Sequence, residues 1–280
     1  MIQKVLVLGG SGMLGQSAAN QLQADGFQVR LLARDKEKAQ RMFKDLFEIV
    51  PGDVTDLTSL EKAMQGVFGV LISVGGVVDQ LSAENVAALA PKLGVEQIVY
   101  LSGSTVKEEN RWFPMTAQKL AAEKAIRECA VPYTVLCPTW PMEQLPRFVM
   151  SGRATVIGVI PEPWHWFAAA DLARMVSNAF QRKEALRKRL YVHGPEAITV
   201  KEALGRYCRV FHPEIEAVEV MPIEAAKAMA ESTGNVFIKV FAEMMEYFIK
   251  VGEPGDPTEA NQILGAPVIT LDAWMAARQS

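Results

Sequence analysis

The segment KVLVLGGSGMLG, residues 4–15, constrains this chain more tightly than any other stretch. A short apolar run ends on Gly9, and glycines recur at positions 12 and 15, the spacing GxxGxxG. Each glycine answers a separate steric demand. The first permits a tight turn out of a buried strand, the second lets a pyrophosphate approach the backbone, and the third lets the following helix pack closely on the sheet. A helix opening at such a turn presents unbonded N–H groups and the positive end of its dipole, both of which favour phosphate. The pattern therefore predicts a strand, turn and helix that bind a dinucleotide through Gly9, Gly10, Ser11, Gly12, Met13, Leu14 and Gly15.

The next strand-like run, QVRLLAR, leads into Ala33, Arg34 and Asp35. In dinucleotide-binding folds an acidic residue about 20 positions after the glycine turn accepts the adenosine ribose hydroxyls, and an arginine there accommodates a 2′-phosphate. Arg34 can form a forked, charge-assisted contact with that phosphate and stack on adenine. Asp35 can take the ribose role or cap the helix KEKAQRMF. The expected cofactor is NADP, with NAD as the alternative.

Further short apolar runs, FEIVPGD, GVLISVG, QIVYLSG and YTVLCPT, alternate with longer amphipathic segments. That rhythm belongs to parallel strands covered by helices on both faces. The expected fold class is α/β, a doubly wound parallel Rossmann sheet with a smaller, mainly helical C-terminal domain. Prolines 138, 141, 146, 161 and 163 then interrupt the chain, and helical stretches dominate after Thr199. The cofactor domain is expected at 1–150 and a substrate or lid domain at 151–280. A helix (DLARMVSNAFQ) and a strand (RLYVHG) near 166–194 are expected to return to the first domain.

Composition narrows the function classes. The 280 residues are 50% hydrophobic and 22% charged with a net charge of −3, which suits a packed core and gives no electrostatic footprint for nucleic acid. The densest basic run, RKEALRKR at 182–189, reads as a solvated helix face and turn. Cys129, Cys137 and Cys208 share no metal-ligand spacing, and an odd count argues against a disulfide framework. No metal is expected. The opening apolar run is too short for a secretory signal or a membrane span, so cytoplasm is the expected compartment.

Several further motifs follow in order: ARD after the second strand, GDVTD after the third, the glycine pair closing ISVGG, YLSGS, CPT and AADLARMV. With GGSGMLG they make the chain resemble the NmrA-like branch of the atypical, extended short-chain dehydrogenase/reductases along nearly its whole length. The resemblance implies that Asp53 and Val54 lie beside the adenine, that Val74 and Gly75 follow the centre of the cofactor, and that Ser102 ends the strand nearest the nicotinamide. Typical family members catalyse with a tyrosine four residues before a lysine, on one helix face. Here those positions hold Met115 and Lys119. A thioether cannot exchange the proton that carbonyl reduction requires. NmrA-like reductases keep the lysine without the tyrosine, and such a lysine can bind the nicotinamide ribose and add positive charge near the hydride. Lys119, with Glu123 one turn later as a partner, and Ser102 are the catalytic candidates; a helix-surface role and turn chemistry are their respective alternatives.

On the substrate side, Met115, Thr139, Trp140 and Trp166 are the candidates. Aromatic and methionine side chains near Trp140 and in PEPWHWF can form an apolar wall for a flat acceptor or can simply be core. His165 can donate a proton or be structural. Met244, Met245 and Phe248 suit a small-domain core, a lid over an apolar ligand or a partner surface. Two functions follow. One is NADPH-dependent hydride transfer to a small apolar or aromatic acceptor, such as a quinone or another conjugated compound. The other is a non-catalytic NAD(P)-binding redox sensor or assembly protein with a protein partner.

Overall fold

The computed structural model describes residues 2–160 and 162–279, so the chain break expected at Pro161 lies outside the described residues. Its first part alternates β1 (Lys4–Leu8), α1 (Met13–Ala24), β2 (Gln28–Ala33), α2 (Lys36–Phe43), β3 (Glu48–Pro51), α3 (Leu57–Met64), β4 (Gly69–Ile72), α4 (Asp79–Leu89), β5 (Gln97–Leu101), α5 (Pro114–Glu128) and β6 (Tyr133–Pro138). There follow β7 (Trp140–Pro141), β8 (Val149–Met150), β9 (Arg153–Ile157), β10 (Trp164–Phe167), α6 (Ala169–Gln181), β11 (Lys188–Val192) and β12 (Glu196–Ile198). The remainder is α7 (Val200–Phe211), β13 (Val218–Met221), α8 (Ile223–Thr233), α9 (Val236–Val251), α10 (Thr258–Leu264) and α11 (Leu271–Gln279).

Seven strands form one parallel sheet in the order β11-β6-β5-β4-β1-β2-β3. The order of strands reverses at the β1–β4 neighbours, and in open α/β sheets ligands bind beyond the carboxyl ends of the strands at such a switch point. Full burial of β4 and β5 explains why their sequences are nearly continuous apolar runs. Gly15, Ala18, Ala19 and Leu22 form the buried stripe of α1, and the first three are small enough to allow close packing. Asp35, Asp56 and Thr199 cap α2, α3 and α7 as N-caps, each worth about 1 kcal/mol.

Two compact units divide the chain. The first comprises Met1–Pro138, Ala169–Val192 and Asp256–Pro267, the second Thr139–Ala168, His193–Gly255 and Val268–Ser280. The chain thus passes between them at 138, 168, 192, 255 and 267, where a boundary at 150 and a return near 166–194 were expected. The sheet is the reason: β11 is its outermost strand beside β6, and α10 is tied to this unit by Arg174 donating to the Leu264 and Ala266 carbonyls and by Lys188 paired with Glu259. The basic run at 182–189 is corrected too. Only residues 183–185 form a short 3-10 turn, Arg187 adopts φ 60, and Arg189 turns inward to the buried Glu123 instead of facing solvent.

The second unit holds two three-stranded sheets, β12-β10-β7 and β13-β9-β8. Their core includes Trp140, Trp164, Trp166, Leu204, Met245 and Trp274. Among the described residues no helix is long and apolar enough to cross a membrane.

Cys137 and Cys208 are buried, and burial pushes the Cys137 thiol up to about 12 and raises that of Cys208. Both therefore stay protonated and unreactive at mild pH. Titration of the folded chain with a disulfide reagent is expected to modify Cys129 alone, and all three cysteines after denaturation. Rapid reaction of a second thiol in the folded state would contradict this packing.

Candidate functional site

The glycine turn places backbone against backbone. Gly9 has φ +80, and a Cβ there would lie 2.2 Å from the Ser73 carbonyl oxygen. A Cβ on Gly15 would lie 2.2 Å from the Gly9 carbonyl oxygen, and one on Gly10 would press into the Leu31 side chain at 2.7 Å. Gly12 differs. Its N–H closes the turn onto the Gly9 carbonyl at 2.9 Å, and a Cβ would meet that same oxygen at 3.1 Å and nothing else within 4 Å. Gly12 is the N-cap of α1 and supplies no side-chain cap, so the first-turn N–H groups of Met13 and Leu14 have no intrahelical acceptor. Ser11 and Gly12 are exposed at this helix start.

Beside the turn, a cleft of about 250 Å³ opens at the carboxyl ends of β1, β2, β3 and β4. Gly9, Ser11, Arg34, Asp53, Val54 and Val74 all line it, so six expected residues from four separate loops meet here. Gly10, Gly12, Met13, Leu14 and Gly15 belong to the adjoining turn and helix rather than to the lining. Gly75 also lies outside the lining, exposed and in an extended conformation, whereas the left-handed residue of that loop is Gly76 at φ +70.

Asp35 caps α2 and also lines the cleft. Its carboxylate accepts the Lys38 N–H at 2.8 Å as the cap of α2. Arg34 is exposed and, among the described residues, forms no side-chain hydrogen bond or ion pair. Lys38 lines the same cleft. Sequence reasoning missed this lysine, although its place in the first turn after a capping aspartate marked it. Asp53 accepts both the Thr55 N–H, at 2.9 Å, and the Thr55 hydroxyl, at 2.8 Å. These two bonds, backbone first, hold its carboxyl below the usual range, with a smaller contribution from Arg34. An uncapped helix start, glycines that admit close backbone approach, two cations and a fixed carboxylate fit the phosphate and adenosine groups of a dinucleotide.

Lys119 does not pair with Glu123. Its Nζ donates to Asp79 Oδ2 at 2.7 Å, to the Leu101 carbonyl at 3.1 Å and to the Tyr100 hydroxyl at 3.4 Å. All three ammonium protons are engaged. Tyr100 in turn donates to Asp79 Oδ1 at 3.1 Å. Burial, then the Asp79 charge, raises the phenol far above its ordinary range, so it remains a donor. Glu123 is buried and takes Arg189 Nε at 2.9 Å and the Ser102 hydroxyl at 2.5 Å. Ser102, expected as a catalytic candidate or a turn residue, donates its hydroxyl to this buried acid. Asp79 and Tyr100 were not anticipated, because the groups they join are far apart in sequence.

The substrate candidates fall in different units. Met115 is half-buried in the first turn of α5, in the first unit. In the second unit, Thr139 donates through its hydroxyl to the His165 carbonyl at 2.5 Å. Trp140 and Trp166 are 5% and 0% exposed and meet edge to face at 5.6 Å, and Trp166 Nε1 donates to the Ile198 carbonyl at 2.9 Å. They are core, not an exposed apolar wall. Met245 is likewise core, while the half-buried Phe248 packs edge-on against Trp140 and Trp164.

An NAD(P)H-binding family model matches residues 9–158. The chain is 28% identical over 228 residues to (4-alkanoyl-5-oxo-2,5-dihydrofuran-3-yl)methyl phosphate reductase of Streptomyces griseus, covering 80% of this chain and 79% of that protein. It is 22% identical over 259 residues to the NAD(P)H azoreductase of Xenophilus azovorans, covering 89% and 87%. Its fold matches the NADPH-dependent quinone oxidoreductase QOR2 of Escherichia coli, solved with NADPH, with a TM-score of 0.79 at 19% identity over 99% of this chain and 100% of that one. The phosphate-ready turn at the switch point and the family match that begins on its first glycine lead to one assignment: this chain belongs to the NAD(P)H-binding family.

Proposed function

We propose that the protein is an NADPH-dependent reductase that delivers hydride to a quinone or another conjugated, electron-poor acceptor. The observation that carries the choice of acceptor is Met115, which stands four residues before Lys119 where a proton-donating tyrosine is required for ordinary carbonyl reduction. An electron-poor conjugated acceptor spreads the charge it gains and can take its proton from water, so it needs no such donor. The relatives described as reductases, and the quinone oxidoreductase with the same fold, support this reading.

When bound, the nicotinamide supplies the hydride. The start of α1 holds the pyrophosphate, and Arg34 and Lys38 hold the 2′-phosphate. Asp53 and Val54 border the adenosine. Lys119, oriented by Asp79, Tyr100 and the Leu101 carbonyl, places a fixed positive charge beside the end of β5.

NADPH oxidation against a panel of quinones and azo compounds tests the proposal. Turnover with at least one acceptor is expected. Cofactor binding without turnover of any acceptor would overturn it in favour of a redox sensor or assembly protein. The Arg34→Ala variant tests the cofactor preference. Loss of a charge-assisted contact is expected to weaken NADPH about 10- to 100-fold, from about 1.5–3 kcal/mol, and to leave NADH nearly unchanged. Equal weakening of both in a binding titration would remove Arg34 from the 2′-phosphate site.

A further inference from the structure

The second unit brings two imidazoles and a carboxylate to one point. His165 lies on β10, His193 directly after β11, and Glu253 two residues beyond the end of α9. One donor atom from each lies within 4.8 Å of the others. Strand alternation places His165: Trp164 and Trp166 enter the core, so the residue between them projects from the opposite face. Gly252, the C-cap of α9, has φ +63 and turns the chain so that Glu253 reaches β10.

The carboxylate is held in place. Glu253 Oε2 accepts the backbone N–H of His165 at 2.7 Å, and Oε1 hydrogen-bonds His165 Nδ1 while standing 3.6 Å from His193 Nδ1. The two rings lie 5.2 Å apart. The side chains of His193 and Glu253 are 7% and 9% exposed, and that of His165 is 39% exposed. His193 is therefore buried, Glu253 nearly so, and His165 faces solvent.

We propose that His165, His193 and Glu253 form a binding site for a divalent transition-metal ion of the zinc class. Two imidazole nitrogens and one carboxylate oxygen suit borderline first-row ions, whereas calcium and magnesium favour all-oxygen shells. Bonds of about 2.0–2.1 Å at tetrahedral angles separate donor atoms by about 3.3 Å. The His193 and Glu253 atoms stand close to that separation. His165 must turn away from its hydrogen bond to Glu253, and it is the ring with solvent beside it. Metal at Nδ1 leaves the His165 proton on Nε2, so the ring binds as neutral imidazole. The solvent side leaves the fourth position for water. None of the three residues lines the dinucleotide cleft, and zinc binding here does not depend on the proposed reductase activity.

The test is equilibrium dialysis of the full, chelator-stripped chain against micromolar zinc, with metal analysis and a parallel cobalt titration read by visible absorption. One equivalent of zinc and the intense bands of tetrahedral cobalt are expected. His193→Ala and Glu253→Gln are each expected to weaken zinc at least 10-fold, while His212→Ala, whose imidazole pairs with Glu214, retains it. An NADPH-induced thermal shift in every variant verifies folding. Less than stoichiometric zinc in the wild-type chain, or undiminished affinity in both site variants, overturns the proposal and leaves a hydrogen-bonded His-Glu-His cluster.

Discussion

Replacing Gly12 by alanine is expected to abolish the thermal shift given by NADPH and to raise its dissociation constant at least about 100-fold, with only a minor effect on folding. A methyl group at this position projects from the exposed start of α1 and meets only the Gly9 carbonyl oxygen, at 3.1 Å. The backbone dihedrals of Gly12, φ −79 and ψ 165, are ordinary for alanine. The structural cost is that of a poorer N-cap, about 1 kcal/mol. The same methyl occupies the space through which a pyrophosphate approaches the first-turn N–H groups. Loss of two charge-assisted hydrogen bonds at about 1.5 kcal/mol or more each corresponds to the stated fold-change. Gly9→Ala serves as the contrast. There the left-handed backbone and a 2.2 Å approach to the Ser73 carbonyl oxygen force the backbone itself to move, so stability and binding are lost together. If Gly12→Ala binds NADPH like the wild-type chain, the turn does not hold the pyrophosphate.

The second large effect is on stability. Lys119→Ala is expected to cost about 3–5 kcal/mol, because it leaves the Asp79 carboxylate buried with its closest positive charge removed. Asp79 is 1% exposed, and Tyr100 is the neutral donor that remains to it. At about 2–4 °C per kcal/mol the melting temperature is expected to fall by about 6–20 °C. Adding Asp79→Asn to this variant removes the stranded charge and is expected to recover most of the loss. A double-mutant cycle by chemical denaturation measures the coupling. Lys119→Ala with unchanged stability, or two single-variant losses that simply add, would show that the pair contributes nothing to the fold. Any loss of turnover in a Lys119 variant has to be measured on protein shown to be folded, since the same side chain holds β5, α4 and α5 together.

Lys119 also shows why part of the site was illegible. Helical spacing offers Glu123 as its neighbour, and an i,i+4 ion pair is worth about 0.2–0.5 kcal/mol. The structure instead joins Lys119 to Asp79, 40 positions away, and Glu123 to Arg189, 66 positions away. Each buried carboxylate outweighs the weak helical preference, because leaving it without a cation costs several times more. The Trp140 and Trp166 indoles posed a related problem: one aromatic composition serves an exposed wall or a core, and only the packing around them distinguishes the two.

What the sequence determined by itself was local in origin. The glycine demands at 9, 12 and 15, the strand and helix periodicities, and the caps Asp35 and Asp56 each act across a few residues, so they led directly to the Rossmann sheet and its dinucleotide site. Tertiary structure alone decided which distant charges meet, that residues 256–267 join the unit of the large sheet, and the convergence of His165 and Glu253 across 88 positions. Those contacts depend on the order of strands and the direction each loop turns. No short window of residues encodes them, because their energy is released only when the intervening chain has folded around them.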